Sequence, residues 1–341
     1  MSLVDSVQAR RAFASLPDDL RLPCLEPAYV LADVCRDDAA VPVFFVYRKG
    51  GETWYHPLVR RPVPGTDLFD LESAYGYGGP VATTDDPGFL AEADAAWQDW
   101  CGKNRILAEF IRFHPLLENQ RFSMAESQEN RTTVWIDLTR PDIRAGLQPR
   151  LRTAVRKAEK DGVTVRYSRE ENDLRIFAAQ YTETMARIGA SADYFFPMAY
   201  FQGLLAHPEL RLGLAEHNGR TVAAAMFLAG AGLWEYHLCG VSPTGQQLGA
   251  VKLLICHAAE TARAEGMRRL HLGGGTDDAM DNPLLYFKAK FSSARAAFRI
   301  GRRVHRPEDY AALLRDWTRR HGVSPSRLLF YHGQPEPGRS S

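Results

Sequence analysis

No apolar stretch in this sequence is long enough to cross a bilayer. The longest nearly apolar run, Val222 to Trp234, is 13 residues, against the roughly 20 that a spanning helix needs. Residues 1–15 lack the basic start and apolar stretch of a signal peptide. Cysteine is sparse: Cys24, Cys35, Cys101, Cys239 and Cys256 are scattered, odd in number and without C-x-x-C spacing. That fits a reducing cytosol better than a disulfide or zinc framework. Lysine is scarce too, 7 of 42 basic residues, so the abundance of arginine alone says little about phosphate binding. With 45% hydrophobic and 24% charged residues, disorder and collagen are excluded. The expectation is a cytoplasmic globular protein with no transmembrane segment, its 341 residues enough for two domains.

The formal net charge of +1 hides an asymmetry. Residues 1–139 carry 13 Lys/Arg and 21 Asp/Glu; residues 140–341 carry 29 and 20. From Arg140 to Arg169 there are nine basic and three acidic residues, and from Lys288 to Arg306 seven basic and none acidic. Such blocks are either a solvated face or the footprint of a partner with several phosphates.

The second half has clear punctuation. Leu147, Leu151, Ala154, Val155 and Ala158 keep helical spacing, with Gly162 at the C-terminal cap. A short strand at 163–167 leads to Ser168 and Glu171, a capping-box pair opening a helix to about Ile188. A helix near 198–206 precedes strands near 210–216 and 221–228, joined by Asn218-Gly219. A strand from Leu233 to Cys239, a helix over 246–265 and a strand at 268–272 follow. After Gly273-Gly274-Gly275, Asn282 and Pro283 start another helix, and 295–305 is again extended. In the first half, strands near 41–47 and 52–60, a Gly-rich segment at 75–80, a helix at 87–101 and strands near 105–113 and 131–138 repeat part of that series. The repetition predicts an internal duplication.

Within the helix from Pro283, residues Leu284, Phe287, Lys288 and Phe291 share one stripe. Pattern alone leaves two readings for Lys288: a packed stem with its ammonium reaching solvent, or a cation held among aromatic faces. His237 and His271 are possible proton carriers or packed structural residues. Asp277, Asp278 and Asp281 lie in a turn ahead of a helix, where carboxylates favour the positive end, so no metal is expected. Gln246-Gln247-Leu248-Gly249-Ala250-Val251 half-matches a coenzyme A pyrophosphate loop, with Val251 in a place that wants Gly or Ala.

The strand and helix order resembles that of GNAT acyltransferases, and two such units in tandem resemble the FemABX family of aminoacyl-tRNA-dependent transferases. Five stretches carry the likeness: YGYGGP at 75–80, RFHPLLEN at 112–119, RLRTAVRKAEKDGV at 150–163, HLGGGTDD at 271–278 and YFKAKF at 286–291. The resemblance covers residues 25–305 and lacks the coiled-coil arm of some members. It implies an α/β fold of two tandem GNAT-like units, each a mixed, mostly antiparallel sheet flanked by helices. The expected first unit is 1–139 on the acceptor side, and the second is 140–305 with the donor and the catalytic lysine. Residues 306–332 would pack back on the first unit, and 333–341 would be a disordered tail.

The resemblance places a Phe-Lys pair, Phe287 and Lys288, at the active site. Arg150, Arg152, Arg156, Lys157, Lys160 and Lys290 become donor-phosphate residues; Arg152, Arg156 and Lys160 form a like-charge ladder that costs helix stability unless counter-charges relieve it. Tyr75, Tyr77, Arg112, His114 and His237 become acceptor-binding residues of a cleft. Gly273, Gly274 and Gly275 form a backbone loop against the acyl donor. The implied reaction needs no bound cofactor: an aminoacyl group passes from aminoacyl-tRNA to an amine of a peptidoglycan precursor, a lipid-linked acceptor or a small metabolite. The donor stays open at this point. The alternatives are an acyl-CoA or carrier-protein thioester used on a sugar amine, and a non-catalytic RNA- or nucleotide-binding protein.

Overall fold

The computed structural model describes residues 2–277, 279 and 281–332; Asp278 and the tail 333–341 lie outside the described residues. In chain order the strands are β1 Ser2–Leu3, β2 Val41–Lys49, β3 Glu52–Pro62, β4 Phe69–Glu72, β5 Val81–Ala82, β6 Ile106–Arg112, β7 Glu126–Asp137, β8 Thr164–Ser168, β9 Leu210–His217, β10 Arg220–Gly230, β11 Leu233–Val241, β12 Arg269–Gly274 and β13 Arg295–Val304. The helices are α1 Ser6–Ala14, α2 Pro27–Asp33, α3 Pro87–Lys103, α4 Pro149–Lys160, α5 Glu171–Arg187, α6 Met198–Ala206, α7 Pro243–Leu248, α8 Ala250–Ala264, α9 Pro283–Ala289 and α10 Pro307–His321. No helix among the described residues is long and apolar enough to cross a membrane.

The chain divides into two units. One comprises Met1–Pro17, Cys24–Glu129 and the chain from Arg299 onward; the other comprises Asp18–Pro23 and Asn130–Phe298. The first unit runs β1-β2-β3-β4-β6, with β5 also on β3. Only β4 and β6 are parallel, and residues 300–304 of β13 pair antiparallel with β6. Trp97 of α3 packs edge-on against Phe45 at 5.0 Å. Tyr310, Leu313, Leu328, Leu329 and Tyr331 pack on Val63, Leu68, Leu107 and Ala108.

The second unit repeats this plan as β8-β9-β10-β11-β12-β7, with only β11 and β12 parallel. In both, a hairpin precedes a third strand, then a helix, then a strand parallel to the third. The closing strands are exchanged. β7 follows β6 in sequence but pairs β12, and β13 follows β12 but pairs β6. That exchange moves the divisions to 129/130 and 298/299 from the 139/140 and 305/306 that consecutive units would give.

Local chemistry explains most elements of the second unit. Asn218 and Gly219 both adopt positive φ, 50° and 71°, as a tight hairpin requires. β10 is buried on both faces. Ala223, Ala225, Phe227 and Ala229 join a core with α4 and α8 residues, while Ala224, opposite Gly240, faces α5. Two expectations fail. Ser168 and Glu171 form no capping box: the Ser168 hydroxyl accepts from the Glu170 amide, and the helix has no side-chain cap. The helix over 246–265 is two helices, because Gly249 takes the left-handed conformation (φ 70°) and reorients the chain between α7 and α8.

α5 meets β11 at backbone distance, because a Cβ on Gly240 would lie 2.5 Å from the Tyr181 nitrogen. Gly240→Ala should therefore cost about 1–3 kcal/mol, the usual price of overpacking, read by urea denaturation. A loss below about 0.5 kcal/mol, the range of neutral surface changes, would show that α5 is not held there.

Candidate active site

β11 and β12 pair for only three residues: Leu233 with Arg269, Trp234 with Leu270 and Glu235 with His271. Beyond them β11 stays with β10 and β12 stays with β7. Each ladder shifts register at that point, leaving His237 extra on β11 and Leu272 extra on β12. Such bulges bend a strand and increase its twist, so the two parallel strands part. The opening is the frame of the candidate site.

The turn after β12 is built to bring α9 to this opening. Asn282 is buried; its Oδ1 accepts from the amides of Leu284 and Leu285 at 3.0 and 3.1 Å, capping α9. Its Nδ2 donates to Thr276 Oγ1 (2.7 Å) and to Asp277 Oδ1 (3.0 Å). Arg131 ties the turn down through the carbonyls of Gly275 and Thr276, at 3.0 and 2.8 Å. Gly273 has φ 76°, and a Cβ on Gly275 would sit 2.6 Å from the Asn282 side chain. The chain's own packing thus accounts for these glycines.

Lys288 is the buried residue of α9, 7% exposed. Its ammonium donates to the Gly274 carbonyl at 2.8 Å and lies 5.9 Å from the centre of the Tyr236 ring. The solvent-reaching reading is excluded. Burial pushes its pKa down to about 8; Glu235 opposes that shift and Arg131 adds to it. Phe287 is half-buried and meets Phe291 edge-on at 5.4 Å. The expected stripe is wrong at Leu284, which is 39% exposed, while Leu285 packs on the core. The His271 Nδ1 is 2.8 Å from the Glu235 carboxylate.

The basic helix α4 buries Leu151, Val155 and Ala158. Its acidic neighbours are already paired, one of them with Lys157 of the helix itself. Glu159 pairs with Arg144 at 2.8 Å, and Asp161 with Lys157 at 2.5 Å. Among the described residues Arg150, Arg152, Arg156 and Lys160 make no ion pair, and all but the half-buried Arg152 are exposed. The Gln148 amide donates to the Lys290 carbonyl (3.2 Å), joining the end of α9 to the start of α4. The Lys290 ammonium lies over the Tyr286 ring at 4.5 Å.

The expected acceptor residues divide between the units. In the first, the Arg112 guanidinium is taken by Glu72 and by the Ser73 carbonyl (2.8 Å). His114 is buried, its Nδ1 accepting from the amides of Leu116 and Leu117 at 3.2 Å, with the Tyr77 ring edge-on at 4.9 Å. Tyr75 accepts from Tyr29 through its carbonyl (2.5 Å) and lies under Arg36. In the second unit His237 bonds Tyr200 at 2.7 Å. The coenzyme A half-match does not form an open loop: the amides of Gln246 and Gly249 already bond Ser242 and Gln246 carbonyls. Glu235 and Tyr236 escaped the sequence reading, although a glutamate inside Leu233-Trp234-Glu235-Tyr236 marks a charge that needs a buried partner.

Residues 147–281 match the family model described as Acetyltransferase (GNAT) domain. No curated protein matches by sequence. The crystal structure of FemX is similar at TM-score 0.70 and 14% identity, over 92% of this chain and 99% of that one. L-PGS from Bacillus licheniformis is similar at TM-score 0.58 and 14% identity, over 92% and 97%. The C-terminal domain of a protein assigned as a lysylphosphatidylglycerol synthetase from Agrobacterium fabrum gives 0.57 and 13%, over 92% and 95%. The chain thus has a two-unit, GNAT-like α/β fold, similar to that of FemX.

A lysine whose folded pKa is depressed destabilises the fold fully below about pH 8, and this cost fades as pH rises towards 10.5 and the unfolded state binds the extra proton. The stability of the wild type relative to Lys288→Met should therefore rise by about 3 kcal/mol across that window. Paired urea titrations along a pH series check it. A pH-independent difference would mean an ordinary, solvated ammonium.

Proposed function

We propose that this chain is an amide-forming acyltransferase that takes an aminoacyl group from aminoacyl-tRNA and places it on an amine of a peptidoglycan precursor or a small metabolite. The observation that carries the donor is the unpaired basic face of α4, joined through Gln148 to Lys290. Four cations without counter-charges suit a run of phosphates better than the few phosphates of coenzyme A.

In the reaction, the amine lone pair attacks the ester carbonyl and a C–N bond forms. The C–O bond to the ribose breaks, and the ribose oxygen leaves with the proton that the amine gives up. An activated ester needs no covalent enzyme intermediate. Lys288 supplies a fixed cation for the charge that develops on oxygen, and burial keeps water from screening it. With a pKa of about 8 it remains mostly protonated at neutral pH, yet is acidic enough to pass a proton to the departing oxygen. Phe287 keeps this side of the site dry.

Lys288→Met should fold and lose about 10²–10³-fold in kcat, the range for removing one oxyanion donor. Mass spectrometry of products after incubation with charged tRNA, acyl-CoA and candidate amines measures it; near wild-type turnover would make Lys288 structural. Donor affinity should fall linearly with salt on a log–log plot, and Arg152→Gln with Arg156→Gln should lower that slope by about 1.5. Filter binding decides. A shallow slope unchanged by the double substitution, with activity on acyl-CoA, would replace the tRNA donor by a thioester used on a sugar amine.

A further inference from the structure

We propose that Tyr286 is a stacking platform for an unpaired nucleobase, its ring braced by Lys290, so that α9 holds a base where α4 holds phosphates. The polynucleotide itself comes from the function proposed above; the platform adds how one of its bases is held.

Tyr286 is the most exposed large hydrophobic side chain among the described residues, at 66%. A single exposed aromatic is ordinary on a protein surface, but the surroundings of this one are not. The Lys290 ammonium lies over its ring, 4.5 Å from the centre. The two residues are four apart on α9, the spacing at which helical side chains meet. Lys290 makes no ion pair among the described residues, and the sequence holds no acidic residue between Asp281 and Glu308. The Lys290 carbonyl in turn accepts from the amide of Gln148, the residue that opens α4. Two contacts, ring to ammonium and carbonyl to amide, thus join the exposed ring to the start of the basic helix. On that helix Arg150, Arg152, Arg156 and Lys160 make no ion pair among the described residues.

Aromatic rings beside cations are what holds a single strand, because every base has a π-face and every nucleotide a phosphate. A cation over one side of the ring fixes its orientation, and the exposed remainder is left for a base. Two residues along a helix turn by about 200°, so Tyr286 faces outward while Lys288 is buried on the other side of α9. The base on Tyr286 therefore belongs to a nucleotide upstream of the one that carries the reacting ester.

Fluorescence anisotropy of the full chain with a labelled single-stranded oligoribonucleotide reads the platform without catalysis. A strand of equal length with abasic sugars is the control, and coenzyme A, which carries one adenine, is measured by competition. Tyr286→Ala should weaken the base-bearing strand by about 10- to 100-fold, the effect of losing one base–aromatic stack. It should leave the abasic strand and the salt slope unchanged, and Tyr286→Trp should bind at least as well as the wild type. Both variants should fold, since the side chain is mostly in solvent. An unchanged affinity of Tyr286→Ala for the base-bearing strand, with the salt slope intact, overturns the platform and leaves the donor standing. Equal losses on both strands, or a loss confined to coenzyme A, overturn it as well. A base-dependent loss in a protein that transfers nothing from charged tRNA would keep the platform and remove the donor.

Discussion

A parallel ladder of three residue pairs, ending at Glu235 and His271, is the constraint on which the second unit depends. Each of its strands has a second, longer antiparallel partner, and each carries an extra residue just past the pair. Neither strand can follow the other and keep its own ladder. The parting leaves strand ends whose polar groups need partners, and the cheapest nearby donor is an ammonium on a short helix. Lys288 meets the Gly274 carbonyl there.

What the sequence revealed follows the range of its signals. Amphipathic spacing and glycine stops act within a few residues, and they placed α6 at Met198–Ala206 and the Asn218-Gly219 hairpin without error. For Lys288 the local pattern left a packed or a solvent-reaching side chain open, and the structure buries it. Glu235 was not legible, since its meaning lies in standing opposite His271, 36 residues away. The exchange of β7 and β13 was hidden for the same reason. Both strands read as closing strands, and nothing in either says which sheet it closes. α1, α2 and α10 went unread; the partners of α10, among them Leu68 and Leu107, lie far off in sequence.

Capping shows how a right residue type can still mislead. Ser168 and Glu171 have the spacing of a capping box, yet the serine bonds the Glu170 amide instead. Asp173, one turn into α5, is drawn back to Arg166 by two hydrogen bonds of 2.7 and 2.8 Å, so a charged pair fixes the helix start. Charge-assisted bonds of this kind are roughly twice as strong as neutral ones.

The two sets of cations in the second unit are held in opposite physical states, and that separates what they can do. Those of α4 are mostly exposed, and their natural counter-ions Glu159 and Asp161 are tied to Arg144 and Lys157. Their field reaches into solvent but is cut off by salt within about 8 Å at physiological ionic strength. They can gather a polyanion and cannot act on a bond. Lys288 is the reverse: desolvated, anchored by one carbonyl and opposed by one carboxylate, it is invisible to a distant ligand and strong at contact. Binding in such a unit should answer to salt, while the chemical step should answer to pH. Because the Gln148–Lys290 bond links the helix of one set to the helix of the other, the polyphosphate donor proposed above would run along α4 towards the end of α9.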